Sequence, residues 1–408
     1  MPHKLLWAHP VSLHDTSSGA SINIISMLEA LFDRNIQVKA LCSPIFFSPF
    51  ARSLFIKRLG SPFIPANPFT LSGDKLDITY IPCASSNYNL QTREEMTRFF
   101  SAFHAILNNF RPDILMTFAD DCLAMALQAE ANLRDLPIVC PVLNSNYFNN
   151  NFKFANCIFT ESKETANQYQ KIGINVKDVG PFINSEKILI KKHRPQYITF
   201  VNPIHEKGVA LAARLALMAE KKYPDLKFLF VESRGNTKNI FESLYNADDS
   251  NDYPLKIRQL QNLEIVQHTN DMREIYSKTS LLLVPSLCYE SFGLVVTEAM
   301  MNGIPVLASQ SGGLVENVGD GGQCLEVPYL TKNDWKRIPT EDEVQPWFNA
   351  LYNMLNKNNY AKWQKKAYES SKRYNISKSI DKILELLKPL FEKKAGSKSD
   401  FINKSAFK

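Results

Sequence analysis

A chain of 408 residues, 45% of them hydrophobic and 22% charged, can bury a sizeable core and is longer than one ordinary domain needs. Its formal charge of +6 is mild and scattered, which suits an anionic ligand or a membrane surface and argues against nucleic-acid readout. Seven cysteines without a C-x-x-C pair argue against a metal or disulfide framework, and no apolar run approaches a signal core or a membrane span. Buried, reduced thiols in a cytoplasmic protein are the expectation.

In chain order, strand-like runs fall at Lys4–Ala8, Ile36–Cys42, Leu76–Ile81, Asp113–Phe118, Pro137–Pro141 and Cys157–Thr160. Helical patterns lie between most of them: Ala20–Phe32, with Ile22, Ile25, Leu28 and Leu31 on one face, then Arg93–Phe110, Cys122–Leu133 and Lys163–Ile172. Ser43–Thr70 interrupts this rhythm with five prolines, six phenylalanines and the basic residues Arg52, Lys57 and Arg58. It reads as an irregular lobe whose aromatics either pack on the domain or, with the basic residues, meet an anionic membrane surface.

The alternation then restarts with the strand Tyr197–Asn202, the helix Val209–Lys222 and strands at Lys227–Val231 and Glu264–Gln267. A short helix Asp271–Lys278, the strand Leu281–Pro285, a helix opening near Gly293, and strands Pro305–Ser309 and Cys324–Val327 complete it. Short apolar strands separated by amphipathic helices predict two α/β, doubly wound parallel-sheet domains, Rossmann-like, at 1–186 and 196–376. The basic stretch Lys187–Pro195 reads as a linker and hinge beside a central cleft, and 393–408 as a disordered basic tail.

The segment richest in chemistry is Val284-Pro-Ser-Leu-Cys-Tyr-Glu290-Ser291-Phe292-Gly293-Leu294-Val-Val-Thr-Glu298-Ala. A strand ends, a loop follows, and a helix starts at a glycine. The unpaired amides of such a helix start can hold a phosphate, and glycine lets the ligand approach the backbone. Glu290 and Glu298 bracket those amides and suit a ligand with hydroxyls at both ends.

This segment resembles the E-x7-E motif of the retaining family 4 glycosyltransferases, and the likeness continues through Glu298-Ala-Met-Met-Asn-Gly-Ile-Pro-Val-Leu-Ala-Ser, Gly312-Gly313-Leu-Val-Glu316 and Gly319-Asp-Gly-Gly322. The resemblance is strong over the C-terminal half and weak over the N-terminal half. It implies a GT-B fold, with an acceptor domain first, a nucleotide-sugar domain second, and a C-terminal helix of about 377–392 packed back on the first. It further implies that Glu290 contacts the donor sugar, the amides around Ser291, Phe292, Gly293 and Leu294 the sugar and diphosphate, and Glu298 the ribose.

The family usually carries Gly-Arg-Leu-x-x-x-Lys-Gly after the second domain's first strand; here Lys207-Gly208 matches, while Asn202 stands at the arginine. Lys207 is thus the cation expected at the diphosphate, with Arg234 a candidate to replace the missing arginine. Gly19, after Ser17 and Ser18, marks either the family's glycine turn near the donor or a plain helix cap. The histidine often found after the strand ending at Phe118 is absent; Asp120 is its candidate substitute, and His9 and His14, near the first strand, are the other candidates to face the cleft.

No GxGxxG after a strand, GxxxxGK[ST] or GxSxG occurs, so nicotinamide enzymes, P-loop NTPases and α/β hydrolases are not indicated. The acidic cluster Asp248, Asp249 and Asp252 reads as a solvated turn. The expected function is transfer of a sugar from a UDP- or GDP-sugar to a glycan, lipid-linked, small-molecule or protein acceptor, with retention, without a metal or other cofactor. The rivals are a non-catalytic sugar-nucleotide-binding protein and another GT-B reaction such as epimerisation.

Overall fold

A computed structural model describes residues 2–143, 152–246 and 260–404, the side chains as far as residue 392. The acidic cluster Asp248, Asp249 and Asp252 lies outside the described residues. The chain forms two compact units, Met1–Phe182 with Asn375–Lys408, and Ile183–Tyr374.

The strands of the first unit are β1 (Lys4–Ala8), β2 (Gln37–Cys42), β3 (Phe69–Leu71), β4 (Asp77–Tyr80), β5 (Ile114–Met116), β6 (Ile138–Val142), β7 (Cys157–Thr160) and β8 (Lys177–Asp178). They form one sheet in the order β3-β4-β2-β1-β5-β6-β7-β8, parallel except for the β3–β4 pair. Alternation along β1 sends Leu5 and Trp7 into one core and Leu6 and Ala8 into the other, so the sheet is covered on both faces. The helix Gly19–Phe32 covers the first face, and Arg93–Phe110 and Cys122–Leu133 cover the second.

The last helix, Ile376–Lys404, contributes Ile380, Ile383, Leu387 and Phe391 to the first face as a turn-spaced stripe, with Ile376, Leu384, Leu386 and Leu390 partly buried beside it. The helix is described as far as Lys404, beyond residue 393 where the basic tail was expected to begin. Residues 405–408 lie outside the described residues.

Three local expectations are corrected. The first helix buries Ile24, Met27, Leu28 and Leu31 and leaves Ile22 exposed; Ser21, Asn23 and Ser26 are buried with them, so polar residues stand on the inward face and mislead the periodicity. Within Ser43–Thr70, Pro49–Leu59 is a regular helix. Ser48 caps it, Pro49 opens it, and Gly60 ends it in a left-handed conformation. Phe46 and Phe55 join the core, whereas Phe63 remains 76% exposed. Lys187–Pro195 is laid on the second unit rather than left as a linker. Ile188 and Ile190 pack on its core, and the Asn302 amide bonds the backbone of both.

The second unit holds β9 (Tyr197–Val201), β10 (Lys227–Val231), β11 (Tyr245–Asn246), β12 (Leu263–Val266), β13 (Thr279–Val284), β14 (Val306–Ser309), β15 (Gly322–Leu325) and β16 (Arg337–Ile338). Six form a parallel sheet, β12-β10-β9-β13-β14-β15, and β11 pairs with β16 apart from it. Chain order reverses between β9 and β13, and open α/β sheets place their ligands beyond the strand ends at that point. No helix among the described residues is long and apolar enough to cross a membrane.

Candidate functional site

The loops leaving β9 and β13 are bound to each other. Gly208 has φ 83°, and a Cβ there would lie 2.0 Å from the Pro285 carbonyl oxygen, so only glycine lets the two loops approach this closely. The amides of Leu287 and Cys288 donate to the Glu206 carbonyl at 2.9 and 3.1 Å. From the other side, the Ser309 and Ser311 hydroxyls donate to the carbonyls of Ser286 and Cys288 at 2.7 and 2.6 Å, and the Gly313 amide donates to that of Glu290 at 2.7 Å. Gly312 has φ 52° and leaves no room for a Cβ against Glu290. Residues 286–290 are therefore held between two neighbouring loops.

This clamp brings Lys207 to Glu290: the ammonium donates to Oε1, which also accepts the Ser286 hydroxyl at 2.6 Å. The side chains are 27% and 14% exposed. Burial alone would lower the Lys207 pKa, but Glu290 and Cys288 outweigh it and hold the ammonium above the ordinary lysine value. The Arg234 charge opposes this rise, so a second cation lies within electrostatic range. Asn202 adopts φ 60°, and its Oδ1 accepts the Arg234 amide at 3.1 Å. A left-handed residue explains asparagine at this position in physical terms.

Two helices begin here, Val209–Lys222 at Gly208 and Leu294–Met301 at Gly293, both glycines left-handed and neither start capped by a side chain. Each helix start carries partial positive charge. Glu298, on the second helix, is buried, and its Oε2 accepts the Tyr276 hydroxyl at 2.6 Å. Burial raises its pKa above the ordinary value of 4.5, partly offset by that hydrogen bond.

The structure thus gathers Asn202, Lys207, Arg234, Glu290 and Gly293 around the strand ends of one unit. Gly19, His14 and Asp120 belong to the other unit. Gly19 is the exposed first residue of its helix, and the Ser18 hydroxyl caps that helix by accepting the Ser21 amide. His14 Nδ1 lies 2.6 Å from the Tyr80 hydroxyl, and burial, with Arg58, lowers its pKa to about 4.

His9 and Asp120 leave adjacent strands, β1 and β5, and His9 Nε2 meets Asp120 Oδ1 at 3.0 Å and Asp121 Oδ2 at 3.6 Å. Burial would lower the His9 pKa, but the two carboxylates raise it to about 9. These three ligand atoms lie within 4.8 Å of one another and could be taken for a metal site. The Val11 amide, however, donates to His9 Nδ1 at 3.2 Å. In the neutral ring that bond puts the proton on Nε2, and at a pKa of about 9 the ring is cationic near neutral pH, so in either state Nε2 presents a proton to the carboxylates. The three side chains form a hydrogen-bonded histidine–carboxylate unit, of which His9 and Asp120 were candidates from sequence and Asp121 was not.

Two sheets of this order define the GT-B fold. The chain shares it with sucrose-phosphate synthase of Thermosynechococcus elongatus (TM-score 0.66, 15% identity, 96% of this chain and 99% of that one). It shares it also with Anabaena HepE in complex with UDP-glucose (TM-score 0.64, 16% identity, 95% and 99%). Residues 182–337, which carry the clamped loops, match the family described as glycosyl transferases group 1. A curated relative, the alpha-1,3/1,6-mannosyltransferase alg-2 of Neurospora crassa, is 34% identical over 87 residues, 21% of this chain and 16% of that protein. The first curated relatives are matched over 16 to 30% of their own lengths.

Proposed function

We propose that the protein is a retaining glycosyltransferase that takes its sugar from a nucleoside diphosphate sugar bound by the second unit, the first unit binding the acceptor. The observation that carries this reading is the Lys207–Glu290 pair, clamped at the β9–β13 switch beside two uncapped helix starts. An ammonium and two helix starts suit a diphosphate, and carboxylates at Glu290 and Glu298 suit the hydroxyls of a sugar and a ribose. The match of residues 182–337 to group 1 transferases and the UDP-glucose bound by HepE support the same reading. In the reaction the anomeric carbon–oxygen bond to the diphosphate breaks and a bond to the acceptor oxygen forms on the same face. The acceptor proton passes to the departing diphosphate. Lys207 and the helix amides then stabilise the charge that grows on that leaving group.

The test is a panel of UDP-, GDP- and ADP-sugars, measured by thermal stabilisation and then by transfer to added acceptors. A donor that raises the melting temperature and loses its sugar only with acceptor present is the expected result. Epimer formation without acceptor, or donor binding without any turnover, would replace this reading by one of its rivals.

Because positive charge at the diphosphate comes from Lys207 and the helix starts, transfer should persist in excess chelator. Complete loss, restored by a divalent ion, would show that an ion does part of this work.

A further inference from the structure

We propose that Asn317 is the positioning residue that aims the backbone amides of Gly293 and Leu294 at the donor diphosphate; this rests on the donor reading above. Asn317 lies in the short helix Leu314–Val318 and is fully buried. Its Nδ2 donates to the carbonyls of Phe292 and Gly293, each at 2.9 Å, which engages both hydrogens of the amide. Its Oδ1 accepts the Thr297 hydroxyl at 2.6 Å, so the amide is held in one orientation. Arg373 donates to the Asn317 carbonyl and ties its backbone in place.

A trans peptide unit is planar, with its C=O and N–H pointing in opposite directions. The chain has no cis bond among the described residues. Drawing the carbonyls of Phe292 and Gly293 toward Asn317 therefore turns the next two N–H groups, those of Gly293 and Leu294, away from it. They emerge at the helix start that no side chain caps. With Gly293 left-handed at φ 84°, consecutive amides form a concavity suited to an anion. Without the Asn317 amide the buried Phe292 carbonyl would lose its donor and the Gly293 carbonyl would keep only the Val296 amide at 3.0 Å, which frees the peptide plane before Gly293 and loosens the one after it.

The experiment compares the full chain with Asn317→Ala and Thr297→Val by calorimetry with UDP, GDP and pyrophosphate and with the nucleosides uridine and guanosine, alongside thermal melting. Asn317→Ala should weaken binding of the diphosphates by at least about tenfold and leave nucleoside affinity unchanged. Thr297→Val, which only frees the Asn317 amide to flip, should shift the same ratio by a smaller factor in the same direction. A merely structural role would lower the melting temperature without changing the diphosphate-to-nucleoside ratio, and that result overturns the proposal. Should Asn317→Ala fail to fold, an unchanged ratio in Thr297→Val overturns it as well. Pyrophosphate binding that is lost in Asn317→Ala supports the assignment even where neither nucleotide binds, and in that case it is the nucleotide reading that fails.

Discussion

Lys207→Ala should lower catalytic efficiency by about one to two decades, and turnover more than donor affinity. A charged hydrogen bond in a partly dry site is worth about 1.5–3 kcal/mol, which sets that range. The larger effect on turnover follows because phosphate charge grows as the donor bond breaks. The structure adds a coupling: Lys207 donates to Glu290, and Glu290 is its chief electrostatic support. Glu290→Ala should then harm the same step twice, by removing a sugar contact and by leaving a half-buried ammonium unpaired.

In Glu290→Ala burial acts on Lys207 with less opposition, so its pKa falls relative to wild type. Activity that needs the ammonium should therefore decline at lower pH than in wild type as pH rises. The double variant should be little worse than the more damaged single one, since partners in one pair are not additive. Full additivity with unchanged pH profiles would mean that the two side chains act separately. Arg234→Ala is the informative companion. A loss similar to that of Lys207→Ala would identify Arg234 as the second cation, while Asn202→Gly, which keeps the left-handed turn, should be nearly silent.

What the sequence disclosed depended on whether the relevant signal was local. The strands were legible because each is a short apolar run ended by a polar or turn residue, and β1, β10 and the helix Val209–Lys222 lie where the pattern places them. The Pro49–Leu59 helix was equally local in its Ser48-Pro49 start, but the surrounding prolines masked it. Lys207 and Glu290 were found because each sits in a motif, although the bond between them spans 83 residues and has no local sign.

The left-handed turn at Asn202 has no unambiguous signature, since asparagine is common in ordinary loops as well. Asn317 was missed for a related reason. The polar pair Glu316–Asn317 among Leu314, Val315 and Val318 reads as a helix's solvent face, and only the bonds of Asn317 to carbonyls 24 and 25 residues away reveal otherwise. His9 likewise becomes notable only when β1 and β5 bring it to Asp120, 111 residues away.

Glu298→Gln should weaken nucleoside diphosphate binding by about one to two decades while leaving the unliganded protein at least as stable as wild type at neutral pH. The two halves have one cause. Burial raises the Glu298 pKa above 4.5, with the Tyr276 hydroxyl only partly compensating, so the folded protein holds this proton more tightly than the unfolded chain. The unfolded state then binds fewer protons in the window from 4.5 up to the raised value, and unfolding free energy falls as pH climbs through it. Above that window the ionised side chain is a standing cost to the ligand-free fold, and glutamine removes it. A ribose donating two hydroxyls to the carboxylate would offset the same cost on binding, as destabilised functional groups commonly require their ligand. Nucleotide affinity should therefore rise with pH across this window in wild type and stay flat in Glu298→Gln. Calorimetry with UDP and GDP at several pH values, beside melting curves of the free proteins, measures both. If the variant binds as tightly as wild type, or melts well below it at neutral pH, Glu298 is a structural partner of Tyr276 and the ribose contact must be sought elsewhere.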